Sequence, residues 1–279
     1  MSPALATASS IRDRLRMSIA PTTPASPLPA IVTLAWRELA RFFRQRNRVI
    51  GALGQPVIFW LLFSEGFKAV SLGYEYQFPG ILAMILLFTA IFTTISIIED
   101  RNEGFLQGVL VAPIPRWAMV IGKILGGATI AWIQGILFLL LGWLTIDSIA
   151  PSLPHVLAAL GLMFVVAFAL TGLGFVLAWQ TDSSQGYHAM MSLLLFPMWL
   201  LSGAFFTIAK SSPMWYIVLI NPLTYGVAGL RHHLTGGSTA GDSWLPGLGL
   251  AWGISLSFAL LMVAASVWIT RVRTAGDFK

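Results

Sequence analysis

Glu99-Asp100-Arg101-Asn102-Glu103-Gly104 packs four charges into six residues, directly after the apolar run from Phe78 to Ile98. Carboxylates and guanidinium groups at such density form charge-assisted hydrogen bonds, to a second segment or to another chain. A matching set of cations stands upstream. Arg37, Arg41, Arg44 and Arg48 are spaced 4, 3 and 4, which is one face of a helix. Val32, Trp36, Leu39 and Phe43 share that spacing on the opposite face, and Arg46 falls on this apolar side. These groups suit docking and the transmission of force. Catalysis finds no footing. Gly122-Lys123 is followed by Ile124 and lacks the upstream glycine of a phosphate-binding loop, so the chain has no nucleotide site of its own. His232 and His233 are adjacent, point to different helix faces and cannot form an i, i+4 metal pair. His-Glu-x-x-His, Gly-x-Ser-x-Gly and a buried carboxylate pair are not found. The chain has no cysteine for a disulfide or a thiolate metal site.

Elements able to position these charges follow from composition. Hydrophobic residues make up 57% of the 279 residues and charged residues 10%, against about 25% charged in soluble domains. Mean hydropathy is +0.80. Six apolar runs cover about Val49–Ser71, Phe78–Ile98, Met119–Ile146, Val156–Trp179, Tyr187–Ile208 and Leu245–Thr270. Each reaches the roughly 20 residues that a helix needs to cross a bilayer. The charges at Glu99–Glu103 cannot sit in hydrocarbon and mark a membrane exit. Few charges fall inside the runs, which argues against a proton or sodium relay. Glu65 and Lys68 are three apart near the end of the first run and can pair.

Six spans place both termini on one side. With that side cytoplasmic, only Lys68, Lys210 and Arg231 of the 17 Lys and Arg lie outside, as the excess of basic residues in cytoplasmic loops requires. The net charge of +6 is therefore set by topology and does not signal nucleic acid. Trp117, Trp143, Trp179, Trp244 and Trp268 fall near span ends, where interfacial indoles belong. Residues 1–30, rich in Pro, Ser, Thr and Ala, read as a disordered cytoplasmic leader without the apolar core of a signal peptide. Residues 31–48 read as a basic amphipathic helix in the membrane interface, in contact with membrane lipid or packed on a partner. Residues 49–270 form the six-span domain, and residues 271–279 a cytoplasmic tail.

Three local features refine this reading. A short helix is expected over about Asn102–Val111, ended by Pro113, with Gly104 and Gly108 permitting close approach of another backbone. Gly122 with Gly126 and Gly249 with Gly253 are small-xxx-small pairs suited to close helix packing and, secondarily, to a dimer face. Ser212-Pro213 and Asn221-Pro222 each join a capping residue to a proline suited to the first helical turn. They open two short apolar helices between the fifth and sixth spans, the second running to about Leu234 and ending at Gly236-Gly237.

The ordered motifs Glu99–Gly104, Leu110-Val111-Ala112-Pro113-Ile114-Pro115-Arg116, Gly122-Lys123, Leu201–Phe206 with Pro213, and Asn221–Tyr225 with Leu230-Arg231 resemble the signature of ABC-2 type transporter permeases. Trp36-Arg37-Glu38 resembles that family's connecting helix, and Phe63–Gly66 departs from its plainer Phe-Gly. The resemblance covers about residues 31–270. It implies an all-α membrane protein with six transmembrane helices, an N-terminal interfacial helix and short re-entrant extracellular helices between spans five and six. It implies the permease subunit of an ATP-binding cassette exporter in a bacterial-type cytoplasmic membrane, paired with a second copy of this chain or a similar permease. ATP and Mg²⁺ belong to a separate P-loop ATPase subunit, and the chain itself carries no cofactor. The residues implied to couple to that subunit are Glu99, Arg101, Glu103, Gly104, Pro113 and Arg116, with Arg37, Arg41 and Arg44 contacting it or bracing the loop. Spans rich in Phe, Leu, Met and Trp suit an amphiphilic drug or lipid. A polysaccharide or lipid-linked glycan, or a non-ABC carrier or scaffold role, stands as the alternative. In this cysteine-free chain, single cysteines at Ser148 and Thr239 should react with an impermeant thiol reagent from outside, and those at Ser10 and Ser183 only from inside. Labelling of Ser183→Cys from outside alone rejects the six-span topology.

Overall fold

A helix break opens the path from span to site. The apolar run after residue 74 does not continue straight to the charged exit: α2 (Tyr74–Thr93) stops, and α3 (Ile95–Asn102) begins one residue later. The Thr93 hydroxyl donates to the Ala90 carbonyl at 2.7 Å and the Thr94 hydroxyl to the Ile91 carbonyl at 2.6 Å. Such back-bonding competes with the helical ladder and bends it. The computed structural model describes residues 26–46, 49–51, 54, 57–58, 61–62, 74–145, 152–204, 211–236 and 246–272.

Upstream lies α1 (Pro27–Arg44), and downstream come α4 (Phe105–Val111), α5 (Arg116–Thr145), α6 (Leu153–Gln180) and α7 (Ser184–Leu200). Two short helices, α8 (Met214–Ile220) and α9 (Pro222–Thr235), precede α10 (Leu248–Val272). All these elements are helical, as composition requires. Helices α2, α5 and α6 pack on one another around Ile81, Leu82, Leu86, Met163 and Phe175, with α9 and α10 against α6. Among the described residues, four helical stretches are long and apolar enough to cross a membrane: Tyr76–Asn102, Arg116–Leu144, Leu153–Gln180 and Leu248–Val272.

Several boundaries differ from those read in the sequence. The N-terminal helix starts at Pro27 instead of residue 31, because Pro27 and Pro29 suit the first turn, where no intrahelical N–H bond is lost. Helix α7 covers 17 residues and ends at Leu200, short of Ile208, in a turn where Gly203 takes φ +77. It is held by one stripe, Tyr187, Met191, Leu195 and Trp199, and the Trp199 indole donates to the Gly80 carbonyl at 2.9 Å. Trp179 is a core residue, 1% exposed and stacked on Phe175, instead of an interfacial indole. Both short helices before α10 form, but α8 starts at Met214 with Pro213 in the cap position expected of Ser212, whereas α9 is capped as read. Asn221 accepts from the Leu223 amide at 3.0 Å, and Gly236 ends α9 with φ +69. Most of the first apolar run, Glu65 and Lys68 included, lies outside the described residues, as do residues 1–25 and 273–279.

The amphipathic helix is arranged differently from its sequence stripes. Its buried face is Leu34, Glu38 and Phe42, while Val32, Trp36 and Phe43 are exposed. The reason is a groove on α5. A methyl group on Gly122 would lie 2.9 Å from Leu34 Cβ, and one on Gly126 2.7 Å from Glu38 Cβ. These glycines let α1 lie directly on α5, so they serve this intrachain contact. Among the described residues, Gly249 and Gly253 have open space around them and mediate no close packing. Gly126→Val should lift α1 off α5 and make it susceptible to limited proteolysis in purified protein. Gly253→Val should leave the digestion pattern unchanged.

Candidate functional site

Asp100 is fully buried, yet it is a carboxylate at the membrane exit of α3. Burying an unpaired charge costs several kcal/mol, so partners are obligatory. Arg37 supplies a bidentate pair, with Nη2 donating to Oδ1 at 2.8 Å and Nη1 to Oδ2 at 2.9 Å. Arg41 Nη1 donates to Oδ1 at 2.8 Å, and the Lys123 ammonium donates to Oδ2. Two oxygens thus take four donors, which fills a carboxylate's accepting capacity. Lys123 also donates to Glu38 Oε1 at 2.6 Å, so two carboxylates buried to 6% and 0% exposure share one ammonium. This overturns the expectation that no buried carboxylate pair exists. The rim is wetter: Arg41 Nη2 bonds Glu99 Oε2 at 2.8 Å and lies 3.4 Å from Glu103 Oε1.

The cluster joins three elements, α1 through Arg37, Glu38 and Arg41, α3 through Glu99 and Asp100, and α5 through Lys123. Arg37 extends it to a fourth. Its guanidinium carbon lies 3.6 Å from the centroid of the Phe105 ring on α4, a cation–π contact. Burial opposes the charge on Arg37, but the hydrogen bonds to Asp100 and the charges of Asp100, Glu38 and Glu103 outweigh it and hold its pKa above the ordinary value. Arg37 therefore stays charged at every physiological pH.

Other predicted site residues take different positions. Arg101 turns away from the cluster and donates to the carbonyls of Thr181 and Trp179, both at 2.9 Å, at the C-terminus of α6. That end carries unpaired carbonyls and partial negative charge, which a guanidinium complements. Arg116, at the start of α5, donates to the Thr270 carbonyl near the end of α10. Arg44 is exposed and outside the cluster. The expected helix over Asn102–Val111 is broken at Gly104, whose φ of +78 forces the turn between α3 and α4. Gly104 is thus needed for its backbone conformation; an added methyl there meets nothing nearer than 3.8 Å. Gly108 has open space in place of a close neighbour. Pro113 is exposed in the turn that follows α4, where the Ile114 amide bonds the Ala112 carbonyl at 2.7 Å. An apolar groove of about 690 Å³ runs between the first half of α1 and α4, lined by Pro29, Ala30, Phe105, Val109 and Ile114 among others.

The helical architecture with a charged, braced loop at a membrane exit agrees with a family comparison: the model for the ABC-2 type transporter family matches residues 29–234. The chain belongs to the ABC-2 type transporter family. It is an integral membrane protein, and the matched region contains the whole cluster. Among relatives, the probable multidrug ABC transporter permease YbhR of Escherichia coli is 29% identical over 153 residues, 53% of this chain and 40% of that protein. The putative transport permease ycf38 of Cyanophora paradoxa is 23% identical over 68% of this chain and 70% of its own length. The probable doxorubicin resistance ABC transporter permease protein DrrC of Mycobacterium tuberculosis is 25% identical over 72% and 75%.

The site residues that sequence reasoning passed over are Glu38, Asp100 and Lys123. Glu38 lies one residue from Arg37 and on the same face as Leu34 and Phe42, at i, i+4 and i+8. A lone carboxylate in that stripe is the available signal. Asp100→Ala should destabilise this ABC-2 family member by about 3–5 kcal/mol, since it strands buried cations. Glu103→Ala should cost less than about 1 kcal/mol, since Glu103 is 60% exposed. Unfolding in detergent mixtures checks the contrast.

Proposed function

We propose that this chain is the permease subunit of an ATP-binding cassette exporter and that residues 99–116 receive force from a separate P-loop ATPase subunit. The observation that carries this reading is the bracing of α3 and α4 against α1: Arg37 and Arg41 hold Asp100, and Arg37 stacks on Phe105. A load applied to α4 then passes into α5 through Lys123 and into α6 through Arg101, instead of being lost in a slack connector. The names of YbhR and DrrC, a multidrug and a doxorubicin resistance permease, support export of an amphiphilic drug or lipid. ATP and Mg²⁺ reside on the ATPase subunit.

Within this reading the chain has six spans, with both termini on the cytoplasmic side of a bacterial-type inner membrane. Residues 1–30 are the leader, although the helix after it begins at Pro27, and 271–279 are the tail. Helices α8 and α9 dip into the outer leaflet. The exposed Val32, Trp36 and Phe43 of α1 face interfacial lipid. Two permease chains assemble with two ATPase subunits, since one chain offers a single coupling loop.

Glu103 and Gly104 offer the cleanest test, because neither holds the buried cluster together. Glu103→Ala removes an exposed charge available to a partner, and Gly104→Leu forces a branched residue into φ +78. Both variants should insert normally, retain less ATPase subunit on purification and lose export. Export at the wild-type rate by both would show that the coupling contact lies elsewhere.

A further inference from the structure

Beside the ion cluster, on its membrane side, the chain encloses a cavity of about 10 Å³, bounded by Glu38, Lys123, Thr93, Thr94, Thr171 and Gly127, among other residues. That is the volume of one water-sized sphere. The walls come from α1, α2, α3, α5 and α6, with Ser96 and Ile97 supplied by α3 and Thr94 at the break that leads to it. Their hydrogen-bonding capacity is asymmetric. The hydroxyl protons of Thr93 and Thr171 are committed to the backbone carbonyls of Ala90 and Ala167, each at 2.7 Å. Thr94 donates to Ile91 and bonds the Tyr187 hydroxyl at 2.6 Å. Each oxygen keeps accepting lone pairs. Lys123 has three N–H donors, of which Glu38 and Asp100 take two. The cavity thus joins one surplus ammonium proton to the threonine acceptors, with the Ser96 hydroxyl, able to donate or accept, on the same wall.

We propose that this cavity binds a single ordered water, which accepts the third Lys123 proton and donates to the threonine hydroxyls. A monovalent cation matches the acceptors but not the adjacent ammonium, whose charge repels it. An apolar occupant leaves the Lys123 proton without a partner. Water alone satisfies both sides, and a buried water typically makes about three hydrogen bonds. The space exists because residue 127 is glycine: a methyl group there would stand 2.5 Å from Thr93 Oγ1 and 2.8 Å from Thr171 Cγ2. The water positions Lys123 between its two carboxylates and ties the cluster to the α2–α3 break. The inference rests on the cavity and its walls, so it stands or falls independently of the transport reading.

The test is a density map of the full chain in lipid nanodiscs, resolved well enough to show other buried waters. A peak within hydrogen-bonding distance of Lys123 Nζ is expected in the wild type and should vanish in Gly127→Ala. Its absence from the wild-type map overturns the proposal. So does a peak that grows when sodium is replaced by thallium, which would make the occupant a cation. Because Gly127→Ala can disturb packing, Thr171 supplies a second test. Thr171→Val removes the acceptor, and with it the bond to Ala167, at constant volume and should weaken the peak, while Thr171→Ser keeps the hydroxyl and should retain it. An undiminished peak in Thr171→Val overturns the assignment.

Discussion

The joint between α1, α3 and α5 depends on the charge of Asp100. A carboxylate without solvent must be compensated on site, and the compensation here comes from two helices other than its own. Because the donors sit on α1 and α5, the carboxylate fixes where both stand relative to α3. Removing one partner of a buried ion pair costs more than forming the pair gains, so the cluster tolerates no partial assembly. The interaction acts as a positional constraint more than as a source of net stability. Close seating of α1 on α5 is its geometric counterpart, since Glu38 reaches Lys123 only because Gly122 and Gly126 remove the side chains between the two helices.

Long apolar runs made four membrane-length helices legible in the sequence, those of the second, third, fourth and sixth runs, among the described residues. Capping chemistry made α9 legible to within a residue, because Asn221-Pro222 and Gly236 each have one low-energy use. The brace between the Arg37 helix and the Glu99–Glu103 segment was legible in part: it was one of two arrangements the charges allowed, Arg41 meets Glu99 and Glu103, and Arg44 and Arg101 lie outside it. The interior of the brace was not. Asp100 looks like one more exposed acid in a polar loop until the packing of α3 buries it. Lys123 looks like part of a Gly-Lys pair at the start of a span until its ammonium is seen to serve two helices. Arg101 sits amid acids in the sequence but follows the 100° step per residue of its helix to the opposite side. The break at Thr94 was hidden for the same reason, since nothing in an apolar run announces that two hydroxyls will turn back on their own backbone.

The segment between residues 99 and 116 is anchored at both ends and turned twice, at Gly104 and at Ala112–Ile114. Asp100 anchors it to α1 and α5, Arg101 to α6, and Arg116 ties the next helix to α10. Gly104 supplies the single left-handed residue that lets α4 leave α3 at an angle.

Arg101 and Arg116 differ from the buried cluster in what they hold. Each grips main-chain carbonyls, which every amino acid supplies. Substitutions at Ala178, Trp179, Thr181 or Thr270 leave those oxygens in place, whereas a change at either arginine removes the contact outright. Mutational risk at these two joints is therefore one-sided. For these contacts the side chains at the helix ends are immaterial, while two positions carry the burden of keeping the ends fastened.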